Sequence, residues 1–246
     1  MLDADSIATV LEVLVPERTE LLELLRGLSA DEWSLPTECP AYTVKGIATH
    51  ILGDDFSLLS RQRDHAAPGL LLLAEELAGA DFRTLLDTFN DRWESAARFL
   101  SPDLLVELLR LAGEWTTSYY DSVDPLLPGE PVGFFGSTGR PSPFWHAIAR
   151  EYVERWVHHS QIRRALGLGS LAEQPFVRVG VAVIAVASGV EATEADGQWM
   201  LGPVSFGGAQ QAADILTRAY FADEVRSLVD GPPEAVDRVA LIAGRP

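Results

Sequence analysis

Glu154 and His158 stand four residues apart in the run Glu154-Arg-Trp-Val-His158. Four residues is about one helical turn, so on a helix the two side chains project from one face, close enough to share a metal ion. His50, far upstream in a second expected helix, supplies another imidazole. One carboxylate and two imidazoles from two packed helices form a three-ligand set, and the fourth position of the cation is left for water or a thiol, the usual shape of a catalytic zinc site.

The elements that must position these residues can be read from caps and periodicity. Apolar residues recur at helical spacing from Ser6 to Leu28, with Pro16 expected to kink or split that helix. Ser29-Ala-Asp-Glu-Trp33 reads as a short capped turn, and the stretch from Leu35 to Tyr42 as irregular. Thr43 is the expected N-cap of the helix carrying His50, which runs to about Arg61 and is followed by a break at His65-Ala-Ala-Pro68. Asp81 to Leu100 and Ser101 to about Tyr120 read as further helices, each opened by a capping residue. Asp124 to Arg140, rich in Pro and Gly, reads as a long irregular connection. It leads into the Glu154/His158 helix, expected from Pro143 to Leu166 and stopped at Gly167-Leu-Gly169.

Long helices with one long crossover predict a four-helix bundle over residues 1–168. Beyond it the texture changes: an apolar segment near Val177 to Ala187, a strand over Gln198 to Phe206, and helical spacing from Ala209 to Tyr220. A smaller α+β domain over 169–246 is the expectation.

At about 100° per residue, Arg150, Glu151, Glu154, His158 and Gln161 make one polar stripe, while Arg155, His159 and Arg163 make another. A helix with two polar stripes can give only one to bulk water. The basic stripe is assigned to solvent, which turns Glu154 and His158 inward, where a cation would compensate the carboxylate. On the other helix His50 shares its face with Thr43, Gly46, Gly53, Asp54 and Ser57. The glycines either leave open volume beside the ring or permit close packing. Asp54, one turn after His50, is either an ion-pair partner or a group that orients the site from outside it.

The charge balance of 19 basic against 36 acidic residues, −17 in all, excludes a nucleic-acid or anionic-membrane binder. A single cysteine, Cys39, rules out an internal disulfide framework and multi-cysteine metal sites. The acidic start Met1-Leu-Asp-Ala-Asp-Ser lacks a signal peptide's positive charge, and the longest apolar run, Val179 to Val190, is too short to span a bilayer. A cytoplasmic protein, monomer or homodimer, is expected. Gly133, Gly136 and Gly139 lack the Lys-Ser/Thr ending of a phosphate loop, and neither a His-Glu-x-x-His helix nor a Gly-x-Ser-x-Gly turn is present.

The runs Trp33-Ser-Leu-Pro-Thr-Glu-Cys-Pro-Ala-Tyr-Thr-Val-Lys-Gly-Ile-Ala-Thr-His50 and Arg150-Glu-Tyr-Val-Glu-Arg-Trp-Val-His-His-Ser-Gln-Ile-Arg-Arg-Ala-Leu-Gly167 together resemble the mycothiol-dependent maleylpyruvate isomerase family of DinB-like bundles. The resemblance extends to about residue 168. It implies a mainly α fold, a DinB-like four-helix bundle followed by a smaller α+β domain, with a divalent metal, zinc, held by His50, Glu154 and His158. It further implies mycothiol as the thiol cofactor and a small electrophile as substrate, for a cis/trans isomerase or an S-transferase. Gln161 departs from the aspartate common in the family, and Ala41 from its glycine. An arginine of the C-terminal domain serves the family's acidic substrate; Arg218 is the nearest counterpart. Two other classes stay open: a metal-dependent hydrolase with Glu151 or Asp54 as base, and a non-catalytic metal-stabilised bundle that binds a small molecule. Trp115, Tyr119, Phe134 and Phe135 are candidate pocket aromatics as well as candidate core residues.

Overall fold

A computed structural model describes residues 4–66, 69–129, 132–133, 136–137 and 143–245. Phe134, Phe135 and parts of the glycine-rich connection lie outside the described residues, as does Pro68. The chain is mainly helical, with a small antiparallel sheet near its C-terminus. It divides into two compact units, Arg18–Val123 and Met1–Glu17 with Asp124–Pro246, and helix α1 (Ala4–Arg26) contributes residues to both. Pro16 does not split α1. It is exposed, so the carbonyl it leaves without an amide partner can face water.

In the unit Arg18–Val123, the turn after α1 is a 3-10 helix, Glu32–Ser34, closed by Glu32 Oε2 accepting from the Ser29 amide and hydroxyl at 2.8 and 2.7 Å. Thr43 caps α2 (Val44–Leu58) by accepting from the Gly46 amide at 3.2 Å, and α2 continues into a π-turn, Leu59–Arg63. A short helix, α3 (Gly69–Glu76), follows; its leucine run carries no capping signal and was not anticipated. Asp81 and Ser101 cap α4 (Phe82–Ala97) and α5 (Pro102–Ser122) as expected. Helix α2 packs on α4 and α5. Lys45 Nζ donates to the carbonyls of Arg98 and Leu100 at 2.9 and 2.7 Å, satisfying acceptors at the end of α4. Arg18 is buried against Asp55 at 2.8 Å and donates to the Leu109 carbonyl at 2.9 Å, so a charge pair and a backbone bond fasten α1, α2 and α5.

In the other unit a two-residue ribbon, β1 (Val132–Gly133) with β2 (Gly136–Ser137), precedes α6 (Trp145–Ala165). Helix α6 ends in a Schellman turn: Gly167, with φ +74°, donates to the Arg164 carbonyl and Leu168 to that of Arg163. The apolar segment after it is a helix, α7 (Gln174–Ser188), closed by Gly189 at φ +67°. The strand expected over 198–206 is instead part of a three-stranded antiparallel sheet of β3 (Ala192–Ala195), β4 (Gln198–Leu201) and β5 (Val204–Ser205), because the turn at Gly202, φ +57°, divides it. Helices α8 (Ala209–Leu216), α9 (Ala222–Leu228) and α10 (Pro233–Ala243) complete the unit, with α8 packed on α7 and β4. Arg164 donates to Ser170 Oγ, Thr217 Oγ1 and the Thr217 carbonyl, and Ser170 Oγ donates to Asp214 at 2.6 Å, tying the end of α6 to α8. Among the described residues, no helix is long and apolar enough to cross a membrane.

Candidate functional site

The rotation of α6 is set by large side chains that lock into the unit's interior. Tyr152 and Trp156 are fully buried; the Tyr152 hydroxyl donates to the Phe176 carbonyl at 2.7 Å, and Trp156 Nε1 to that of Leu171 at 2.8 Å. Burial and the nearby Glu17 carboxylate hold the Tyr152 phenol well above its ordinary pKa, so it remains a hydrogen-bond donor. With these anchors seated, the side chains of Glu154 and His158 emerge one turn apart, with Oε2 3.6 Å from Nε2. His158 Nδ1 lies 2.9 Å from Gln161 Oε1, and Gln161 is buried.

The basic stripe is not given to solvent as the sequence reading expected, while Glu151 and Gln161 of the other stripe are buried as well. Arg155 and His159 are buried, whereas the Glu154 side chain is half exposed and that of His158 is 14 % exposed. The physical reason is Glu17, which is fully buried and brings Oε1 to 3.0 Å from His159 Nδ1. A carboxylate already waiting in the interior makes His159 the inward histidine and removes the premise that a cation is needed to compensate Glu154. The sequence carries a signal for Glu17: with Leu14 and Leu21 three residues before and four after it, it lies on the apolar face of α1.

His50 lies in the unit Arg18–Val123, on α2. Its side chain is 13 % exposed, with Nε2 3.2 Å from Asp54 Oδ2, so Asp54 faces the ring from one turn on. The Tyr42 ring stacks on the imidazole, centroids 5.9 Å apart and planes 16° from parallel. Burial, with Cys39 and the carboxylates of Asp91, Glu94 and Asp87 adding to it, pushes the Tyr42 phenol up to about 12. The glycines beside His50 serve close packing: a Cβ on Gly46 would lie 3.2 Å from Tyr42 and one on Gly53 2.9 Å from Trp93. Cys39 is a free, half-buried thiol whose pKa is raised by burial. Trp115 is exposed, Tyr119 half-buried, and Arg218 exposed at the end of α8 with φ +65°.

The chemistry of the α6 donors fits a divalent cation. Bonds of about 2.0–2.2 Å to a tetrahedral ion place two donors roughly 3.3–3.5 Å apart, close to the separation of Glu154 Oε2 and His158 Nε2. A ring nitrogen bonded to an acceptor on its far side is also how metal-binding histidines are oriented. Among the described residues, no group of three or more His, Cys, Asp or Glu side chains gathers as a metal site would. The structure therefore brings together Glu154 and His158, and places His50 against Asp54.

A mainly helical chain with a Glu-x-x-x-His pair on one helix face, followed by a small α+β tail, is the class of protein defined here. The family model for the mycothiol maleylpyruvate isomerase N-terminal domain matches residues 14–163, and the chain belongs to that family. No curated protein and no solved structure matches it.

Proposed function

We propose that this protein is a metal- and mycothiol-dependent enzyme that adds a thiol to a small electrophile, as an S-transferase or a maleylpyruvate-type cis/trans isomerase. His50, Glu154 and His158 are the proposed ligands, and zinc the proposed ion. Residues 1–168 are the proposed metal-binding bundle, followed by a small α+β C-terminal domain over 169–246. The observation that carries the proposal is the Glu154–His158 pair, 3.6 Å apart, within the segment that matches the family. A bound divalent cation would lower the pKa of an incoming thiol. Glu154, half exposed, keeps the α6 donors accessible to a ligand from solvent. A hydrolase finds less support, because its candidate bases are engaged: Glu151 Oε1 with Arg150 at 3.0 Å and Asp54 with His50.

The test is metal analysis of purified wild-type and His158→Ala protein, followed by thermal unfolding with and without mycothiol. Wild type is expected to hold about one divalent ion per chain, the variant far less, and mycothiol to raise the wild-type melting temperature. A metal-free wild type that does not respond to mycothiol overturns the proposal. Turnover without added thiol would assign the protein to hydrolysis.

A further inference from the structure

We propose that the groove between the end of α1, the 3-10 helix Glu32–Ser34 and the first turns of α5 binds a small zwitterion with an apolar body, a free aromatic or branched-chain amino acid in kind. The site shares no residue with the metal-dependent function proposed above and does not rest on it.

The groove is a cavity of about 490 Å³ whose described wall belongs entirely to the unit Arg18–Val123. That volume falls in the range of small-molecule sites. Its floor is preformed, because Leu25, Trp33 and Val106 border the cavity and are otherwise buried in the core. An apolar group seated on them leaves water without requiring the protein to open.

The polar groups around this floor carry both signs of charge. Trp33 is only 5 % exposed, yet its indole N–H has no acceptor among the described residues and, unlike that of Trp199, is not sealed from solvent. A buried tryptophan ordinarily bonds that hydrogen within the protein, so here a donor is left for a ligand. Arg26 is a second donor. It lies 3.9 Å from Glu107, which Arg110 holds more closely at 3.1 Å, so the Arg26 guanidinium is free to meet an incoming carboxylate. Asp103, exposed in the first turn of α5, has no hydrogen bond or ion pair among the described residues.

Two donors therefore suit a carboxylate, and one unpaired carboxylate suits an ammonium. An apolar acid alone would leave Asp103 facing its body, and an apolar amine alone would leave Arg26 and the Trp33 N–H without acceptors. Both charges on one small molecule answer all three groups, which selects an amino acid over either fragment of it.

The experiment titrates L-phenylalanine, phenylpropionate and phenethylamine separately into the full nitrogen-labelled chain and follows the Trp33 indole N–H in proton–nitrogen correlation spectra, with the resonance assigned through bonds. L-phenylalanine is expected to shift that resonance saturably, and each single-charge analogue to bind at least about 10-fold more weakly. Arg26→Gln and Asp103→Asn, both at exposed positions, should each weaken L-phenylalanine by about 10-fold. No shift from any of the three compounds at about 10 mM overturns the site. An analogue that binds as tightly as L-phenylalanine, or unchanged binding in both variants, overturns the zwitterion as its ligand. A protein free of metal that binds L-phenylalanine at Trp33 would leave this site standing and count against the metal-dependent function alone.

Discussion

Glu17 and His159, 142 residues apart in the chain, meet in the interior with Oε1 3.0 Å from Nδ1 and no exposed surface on either side chain. Replacing one partner leaves the other buried with a lost interaction. Glu17→Leu is expected to cost about 3 kcal/mol in urea unfolding. Glu154→Gln, at a half-exposed carboxylate, should stay within about 0.5 kcal/mol of wild type. Equal losses for the two would show that the burial of Glu17 does not distinguish it energetically.

Arg18 carries a comparable burden in the other unit. Its guanidinium lies 2.8 Å from Asp55, and Nη1 donates to the Leu109 carbonyl. Arg18→Met removes both interactions and takes the cation away from the Asp55 carboxylate, which is almost fully buried. A destabilisation of about 3–5 kcal/mol is expected, and the double variant Arg18→Met/Asp55→Leu should recover part of it. A double variant no better than the single would count against the loss of the buried ion pair as the main cost.

Gly180 on α7 lies against the Trp156 ring of α6. A Cβ there would stand 2.3 Å from Trp156 Cζ3, and Trp156 is pinned by its bond to Leu171. Gly180→Ala should therefore destabilise by about 1–3 kcal/mol, against the usual gain from alanine in a helix. A neutral or stabilising result would show that Trp156 has room to move.

Tyr42 offers a pH test. Its phenol pKa is raised to about 12 in the folded protein, against about 10 in the unfolded chain. Between those values the unfolded state has lost its proton while the native state keeps it, so stability falls as pH rises from about 10 to about 12. Ultraviolet titration should show a phenolate signal near 12 in wild type that is missing in Tyr42→Phe, apart from Tyr152, whose phenol is also held up by burial. A wild-type spectrum in which Tyr42 ionises near 10 would contradict the burial and negative surroundings seen around it.

Chain-local chemistry was legible from residue types alone. The caps at Thr43, Asp81 and Ser101 lie where their side chains accept a backbone amide, and the end of α6 at Gly167 follows from glycine's tolerance of positive φ. Helix α3 and the division of the expected strand at Gly202 were missed, since short elements with few cap signals are decided by what they pack against.

Local sequence alone determined the long helices α1, α2, α4, α5 and α6, the caps at Thr43, Asp81 and Ser101, the one-turn spacing of Glu154, His158 and Gln161, and the motifs that mark the family. Only the tertiary structure decided that Arg155 and His159 turn inward, that His50 faces Asp54, and that Gln161 lies beside His158. The periodicity of a helix specifies which residues share a face, but which face is buried depends on partners such as Glu17 that folding brings from distant parts of the chain.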